Sequence, residues 1–93
     1  MSEKCYWYET CTTCEEGRLF IVEDLSRHRL YLHCEECESG FEDPLDLKNS
    51  DKIFLTLNFD YACRFADWET IKAHGWEQFA TNSSDMALAP KIC

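Results

Sequence analysis

The chain has no long apolar run. Its uninterrupted apolar stretches reach only four residues, as from Leu19 to Val22, and a bilayer-spanning helix needs about 20. The opening Met1-Ser2-Glu3-Lys4-Cys5 lacks the apolar segment of a secretory leader. A cytoplasmic protein is therefore expected. Basic residues are scarce as well. Nine Lys and Arg face 18 Asp and Glu, for a formal net charge of -9. Nucleic-acid affinity depends mainly on cations that neutralise phosphates, so such a chain is repelled by nucleic acids and by anionic membranes. A basic protein partner suits it better, because opposite charge speeds encounter and suppresses wrong partners. No solenoid-length repeat and no low-complexity tract appears. No nucleophile sits beside an evident base, and no open metal position is evident, so no catalysis is expected.

What is present fits one small domain. The chain has 93 residues, 45% of them apolar and 14% aromatic, enough for a globular fold. Its core is thin, and small domains often need a metal or disulfides as a staple.

Seven cysteines supply the candidate staple: Cys5, Cys11, Cys14, Cys34, Cys37, Cys63 and Cys93. Four of them make two CxxC pairs, Cys11-Thr12-Thr13-Cys14 and Cys34-Glu35-Glu36-Cys37, with nineteen residues between the pairs. That spacing is the one expected of a four-cysteine zinc site. Zn²⁺ takes four ligands in a tetrahedron at about 2.3 Å for sulfur, and a two-residue gap lets one tight turn present two sulfurs from one side. Two disulfides would need an oxidising compartment, and a thioredoxin-like CxxC would open a helix in a βαβ unit. Neither context is evident here. One structural Zn²⁺ on Cys11, Cys14, Cys34 and Cys37 is the expectation, and its four thiolates would add about two negative charges. Cys63 is expected to be a small buried apolar residue, Cys5 to pack in a first strand, and Cys93 to be a terminal thiol. His33 precedes a ligand, but four thiolates already fill the site. His28 sits by a turn and His74 in the last turn of a helix.

The segment between the pairs reads as a hairpin. Arg18 to Glu23 is β-prone, Asp24 to Arg27 is a polar interruption, and Arg29 to His33 alternates, with Leu30 and Leu32 on one face. Gly17 and Gly40 follow the two pairs, where a positive φ is cheap for glycine. The expected fold is a small α+β domain. It is a four-cysteine zinc ribbon, a hairpin-based antiparallel sheet, with an additional strand and a short C-terminal helix. Within a single domain over residues 1–93, residues 4–42 make the ribbon, with a short strand from Cys5 to Glu9, and residues 43–52 a connector. Residues 53–80 supply the extra strand (Ile53 to Phe59) and the helix, and residues 81–93 form a mobile or lightly docked tail. Asp43-Pro44 opens a single turn in the connector. Asp67 caps a helix that runs to His74, Gly75 ends it in the left-handed conformation, and Trp76 returns to Ile71.

Two fragments together carry a family resemblance. One is Leu32-His33-Cys34-Glu35-Glu36-Cys37-Glu38 with Phe41 and Asp43-Pro44-Leu45-Asp46. The other runs from Phe65 through Asp67-Trp68-Glu69 to Gly75-Trp76. A CxxC ribbon with an acidic second pair, an Asp-Pro turn and a short helix ending in Gly-Trp resembles small zinc-ribbon immunity proteins. These accompany bacterial polymorphic and contact-dependent growth inhibition toxins. The resemblance implies a protein that neutralises a cognate basic toxin domain, a nuclease above all, and it carries no set of contact residues.

The charge pattern agrees with that implication. Residues Glu9 to Asp46 hold eleven acids against three bases, Arg18, Arg27 and Arg29. The expected partner contacts are Glu35, Glu36, Glu38 and Glu42, then Asp67 and Glu69 at the helix start. Glu15 and Glu16 would lie nearby if the two pairs meet at one metal. The competing reading is a zinc-ribbon nucleic-acid or transcription module, for which Tyr6, Trp7 and Tyr8 supply aromatics but the bases are missing.

Overall fold

The β-prone run at residues 19–22 sits at the centre of the molecule. The computed structural model describes residues 4–46, 53–55 and 62–85. Its strands are β1 (Lys4–Thr10), β2 (Arg18–Asp24), β3 (Arg29–Cys34), β4 (Ser39–Phe41), β5 (Ile53–Leu55), β6 (Cys63–Phe65) and β7 (Asn82–Asp85). One α-helix is found among the described residues, α1 (Trp68–Ala73). All strand pairings are antiparallel, in the order β5-β4-β3-β2-β1-β7. β6 pairs with β2 off that path.

A continuous apolar run in β2 implies burial on both faces of the sheet. Leu19 and Ile21 join Leu30, Leu32, Cys34 and Phe41 on one face. Phe20 and Val22 join Cys5 and Tyr31 on the other. The alternation in β3 is thus not an apolar face against a wet one, since Tyr31 and His33 are buried with Leu30 and Leu32.

The β2–β3 turn is organised by Asp24, whose side chain is wholly buried. Its carboxylate accepts from the N–H groups of Ser26 (3.0 Å) and Arg27 (3.2 Å) and from the guanidinium groups of Arg27 (3.1 Å) and Arg29 (3.4 Å). Burial opposes ionisation of Asp24, but these four donors outweigh it and hold its pKa below the usual value.

β1 covers only the first part of β2, with Trp7 opposite Phe20 and an irregularity before Thr10 meets Arg18. β6 takes the rest of that edge, where Val22 faces Phe65 and Glu23 faces Arg64. The last pair is an ion pair at 2.7 Å.

The helix follows its local sequence. Asp67 Oδ1 accepts from the Thr70 N–H at 2.8 Å, and Ile71 is buried. Gly75 has φ 73°, its N–H donates to Lys72 O, and the Trp76 N–H donates to Ile71 O, both at 3.0 Å. These are the two bonds of a Schellman motif, which satisfy carbonyls the helix end leaves open. Ile71, Trp76, Ala66 and Phe79 close over the face lined by Leu19 and Leu32. Trp68 remains 39% exposed and tilts against Tyr6 at 5.6 Å.

The connector opens as a 3-10 turn over Pro44–Asp46, with the Leu45 N–H bonded to Asp43 Oδ1 at 2.9 Å. Residues 47–52 and 56–61, including the second half of the expected strand, lie outside the described residues. The first part of the tail docks on the sheet, and residues 86–93 lie outside the described residues. Asn82–Asp85 forms β7 and pairs with β1 from Lys4 to Trp7. A polar Asn-Ser-Ser-Asp segment carries no strand signal of its own; the open edge of β1 recruits it through backbone hydrogen bonds. No helix among the described residues is long and apolar enough to cross a membrane.

Candidate metal centre

Strand pairing brings the two CxxC turns to one end of the sheet. Cys11 and Cys14 lie between β1 and β2, and Cys37 between β3 and β4. Cys34 ends β3 opposite Leu19. Each turn closes on itself in the same way. The Glu15 N–H donates to Cys11 O (3.0 Å), and the Glu38 N–H donates to Cys34 O (3.1 Å). The residue after each second cysteine is left-handed, Glu15 at φ 59° and Glu38 at φ 58°.

This corrects the expectation for the glycines, since Gly75 is the described glycine with positive φ. Gly17 and Gly40 are required by space. A Cβ at Gly17 would stand 2.5 Å from Cys34 Sγ, and one at Gly40 would collide with the Phe54 ring. Gly17 therefore lets the two turns meet.

The four sulfurs all lie within 4.8 Å of one another. Cys11 and Cys37 are 3.7 Å apart, Cys14 and Cys34 3.6 Å. A tetrahedron with arms of about 2.3 Å has edges of about 3.8 Å. The donor set and its spacing thus fit a metal ion, and no disulfide joins these four. Backbone N–H groups point at the sulfurs. Thr13 donates to Cys11 (3.3 Å), Gly17 to Cys14 (3.5 Å), and Glu36 and Cys37 to Cys34 (3.4 Å each).

Cys11 and Cys34 are buried, Cys14 and Cys37 half-buried. Burial pushes the thiols of Cys11 and Cys34 up. The Gly17 and Glu16 N–H groups bring Cys14 down to about 7. Four sulfurs this close ionise together only around a cation, so metal binding here would release protons.

The acids expected at a partner interface divide into different environments. Glu35 is not a free carboxylate. It accepts from Arg18 Nε at 2.6 Å, from the second guanidinium nitrogen at 2.9 Å and from the Arg18 backbone N–H at 2.9 Å. Arg18 holds its pKa below the usual range. That guanidinium also lies over the rings of Phe20 (4.9 Å) and Trp7 (5.9 Å). Glu35 therefore fastens the second turn to β2. Glu42 pairs with Arg29 at 2.6 Å, toward the β2–β3 turn and away from the sulfurs. Asp67 is occupied as a helix cap, and Glu69 is an exposed neighbour of Lys72 at 3.6 Å. Glu36 is exposed at the sulfur end together with Glu15 and Glu16, and half-buried Glu38 closes the second turn there.

The remaining candidates are structural. Tyr6 packs on Trp68 and Tyr8 on Phe79, so the β1 aromatics do not form a free stacking platform. His33 is buried outside the sulfur cluster with Nδ1 unpaired, and burial lowers its pKa to about 4. His28 is left-handed in the β2–β3 turn, and His74 caps α1. Cys5 is buried in β1 near Ser84 O (3.5 Å). Cys63, expected to be a buried thiol, is half-buried in β6 and disulfide-bonded. Cys93 lies outside the described residues. Sequence reasoning missed Ser39, whose buried hydroxyl meets Cys37 Sγ at 3.2 Å. Its position two residues past a CxxC was the available signal. No family model, no curated protein and no solved structure matches the chain.

Proposed function

We propose that this chain is an immunity protein, a zinc ribbon built on one structural Zn²⁺ bound by Cys11, Cys14, Cys34 and Cys37. It binds a cognate basic toxin domain, of nuclease type, in the cytoplasm of the cell it protects. The metal supplies a crosslink between the two turns, and such sites contribute about 10 kcal/mol or more of apparent binding free energy. The chain itself performs no chemistry on the toxin. It covers the active site or substrate channel and offers carboxylates where phosphates would sit.

One observation carries this reading: the sulfur cluster and the exposed Glu15, Glu16 and Glu36 share one end of a chain with net charge -9. Zn²⁺ with four thiolates leaves that end about two charges more negative. Arg18, the cation fastened there, is already held by Glu35. A basic domain would be steered to that end at low salt, and the advantage fades as the Debye length shrinks.

The test is to look in the neighbouring reading frame for a large secreted protein and, where one is found with a cationic C-terminal domain, to use that domain as the partner. Co-expression should restore growth to cells producing that domain, and the association rate should fall with added salt. Continued killing at full expression refutes the reading. Micromolar binding of RNA or DNA at physiological salt by the chain alone would favour the nucleic-acid module instead.

A further inference from the structure

The hydrogen bonds to the four sulfurs are not evenly made. Backbone N–H groups donate to Cys11, Cys14 and Cys34. Among the described residues no N–H group donates to Cys37. Besides the neighbouring Cys11 sulfur, its hydrogen-bond partner is the Ser39 hydroxyl at 3.2 Å. Ser39 is only 4% exposed and is fixed in β4 opposite Leu55. A buried hydroxyl thus meets the one sulfur of the four that no backbone N–H group among the described residues supports.

We propose that Ser39 is a positioning residue of the metal centre, which serves Cys37 as the Gly17 N–H serves Cys14. The inference rests on the four-cysteine metal reading. In the metal-free protein the Cys37 thiol donates to Ser39 Oγ. A metal-bound thiolate has no proton to give. The hydroxyl is both donor and acceptor, so it turns and donates to sulfur. That bond fixes the Cys37 side chain and draws charge from a thiolate that is half-exposed. Without it, Cys37 is the ligand that leaves the metal first and meets electrophiles first. The other three sulfurs depend on the backbone, which no side-chain substitution removes, so Cys37 is the arm of the site a single residue controls.

The experiment loads wild type, Ser39→Ala and Ser39→Thr with Zn²⁺ or Co²⁺ alone. Competition with a chromogenic chelator should show Ser39→Ala binding zinc about ten-fold or more weakly, the scale of lost outer-shell partners. Ser39→Thr keeps the hydroxyl and should restore most of that loss. In the Co²⁺ form, Ser39→Ala should move the sulfur-to-metal charge-transfer band to longer wavelength, because the thiolate lone pairs rise in energy. Limited alkylation with N-ethylmaleimide, read by peptide mass, should accelerate at Cys37 but not at Cys14. Equal affinities, an unmoved band or equal acceleration at both cysteines overturns the assignment. If Ser39→Ala does not fold, the cadmium-loaded wild type decides. Its Ser39 hydroxyl proton should exchange slowly and couple to the metal nucleus through Cys37 Sγ, and a fast, uncoupled hydroxyl overturns the proposal. A wild-type chain that binds neither zinc nor cobalt removes the metal reading itself, and that result is visible before any variant is made.

Discussion

Glu35 and Glu36 are neighbours of the same charge in the same turn, and the structure gives them opposite roles. Truncating Glu35 to Ala removes three hydrogen bonds that all end on Arg18. Hydrogen bonds to charged groups contribute about 1.5 to 3 kcal/mol each in buried settings. Here the Arg18 and Glu35 side chains are 32% and 16% exposed. Solvent therefore screens part of the attraction, and Arg18 can turn toward water. A net loss of about 1 to 2 kcal/mol follows for Glu35→Ala. In a domain of this size that lowers Tm by about 4 to 16 °C. Glu36 is exposed, so Glu36→Ala should leave Tm unchanged. Thermal melts of the two variants, zinc-loaded and followed by circular dichroism, make the comparison. Under the proposed immunity function, toxin binding should show the reverse order once both variants are measured well below their melting points. The association rate falls for Glu36→Ala, while Glu35→Ala retains it. Equal melting temperatures for Glu35→Ala and Glu36→Ala would refute the role given to the Arg18–Glu35 pair.

Three further outcomes follow from particular contacts. Asp24→Asn should cost about 2 to 4 kcal/mol in denaturant melts, because two guanidinium groups lose a buried carboxylate. The folded Asp24 pKa lies below the unfolded value, so its stabilisation is full above about pH 4. It is lost as pH falls through the folded pKa, and the gap between wild type and Asp24→Asn should close there. Glu15→Gly should stabilise the chain by up to about 1 kcal/mol, since glycine relieves the left-handed backbone at some cost in unfolded-state entropy; a destabilised variant would contradict this. Trp76→Ala should cost roughly 1.5 to 3 kcal/mol, about half the value for a fully buried ring, because Trp76 is half-buried against Ile71 and Phe79. A loss below about 0.5 kcal/mol would show the ring to be idle in the core.

What was legible in the sequence is what short-range chemistry determines. The two CxxC turns announce themselves by spacing, because a tetrahedron admits few arrangements of four sulfurs. The Asp67 cap, Gly75 and Trp76 were readable because a helix end is specified within a few residues. The hairpin between the turns followed from β-prone runs and a polar break. What escaped depends on neighbours distant in sequence. Gly17 and Gly40 are fixed by Cys34 and Phe54 across the fold, and nothing in their flanks distinguishes crowding from a left-handed turn. Glu35 looked like surface charge until Arg18, seventeen residues earlier, was placed beside it. β7 has no strand pattern, since its partner's open edge decides its conformation. β3 alternates as if one face were wet, yet both faces are covered. Cys63 in a disulfide had no local signal at all.

The metal content of the purified chain bears most directly on the proposal that Cys11, Cys14, Cys34 and Cys37 form one zinc centre. Protein isolated without chelator should carry one zinc per chain by native mass spectrometry and elemental analysis. Cys34→Ser should lose both the metal and the dispersed spectrum of a folded sheet. A metal-free wild-type chain with a fully folded spectrum, or a Cys34→Ser variant that remains folded without zinc, would contradict it.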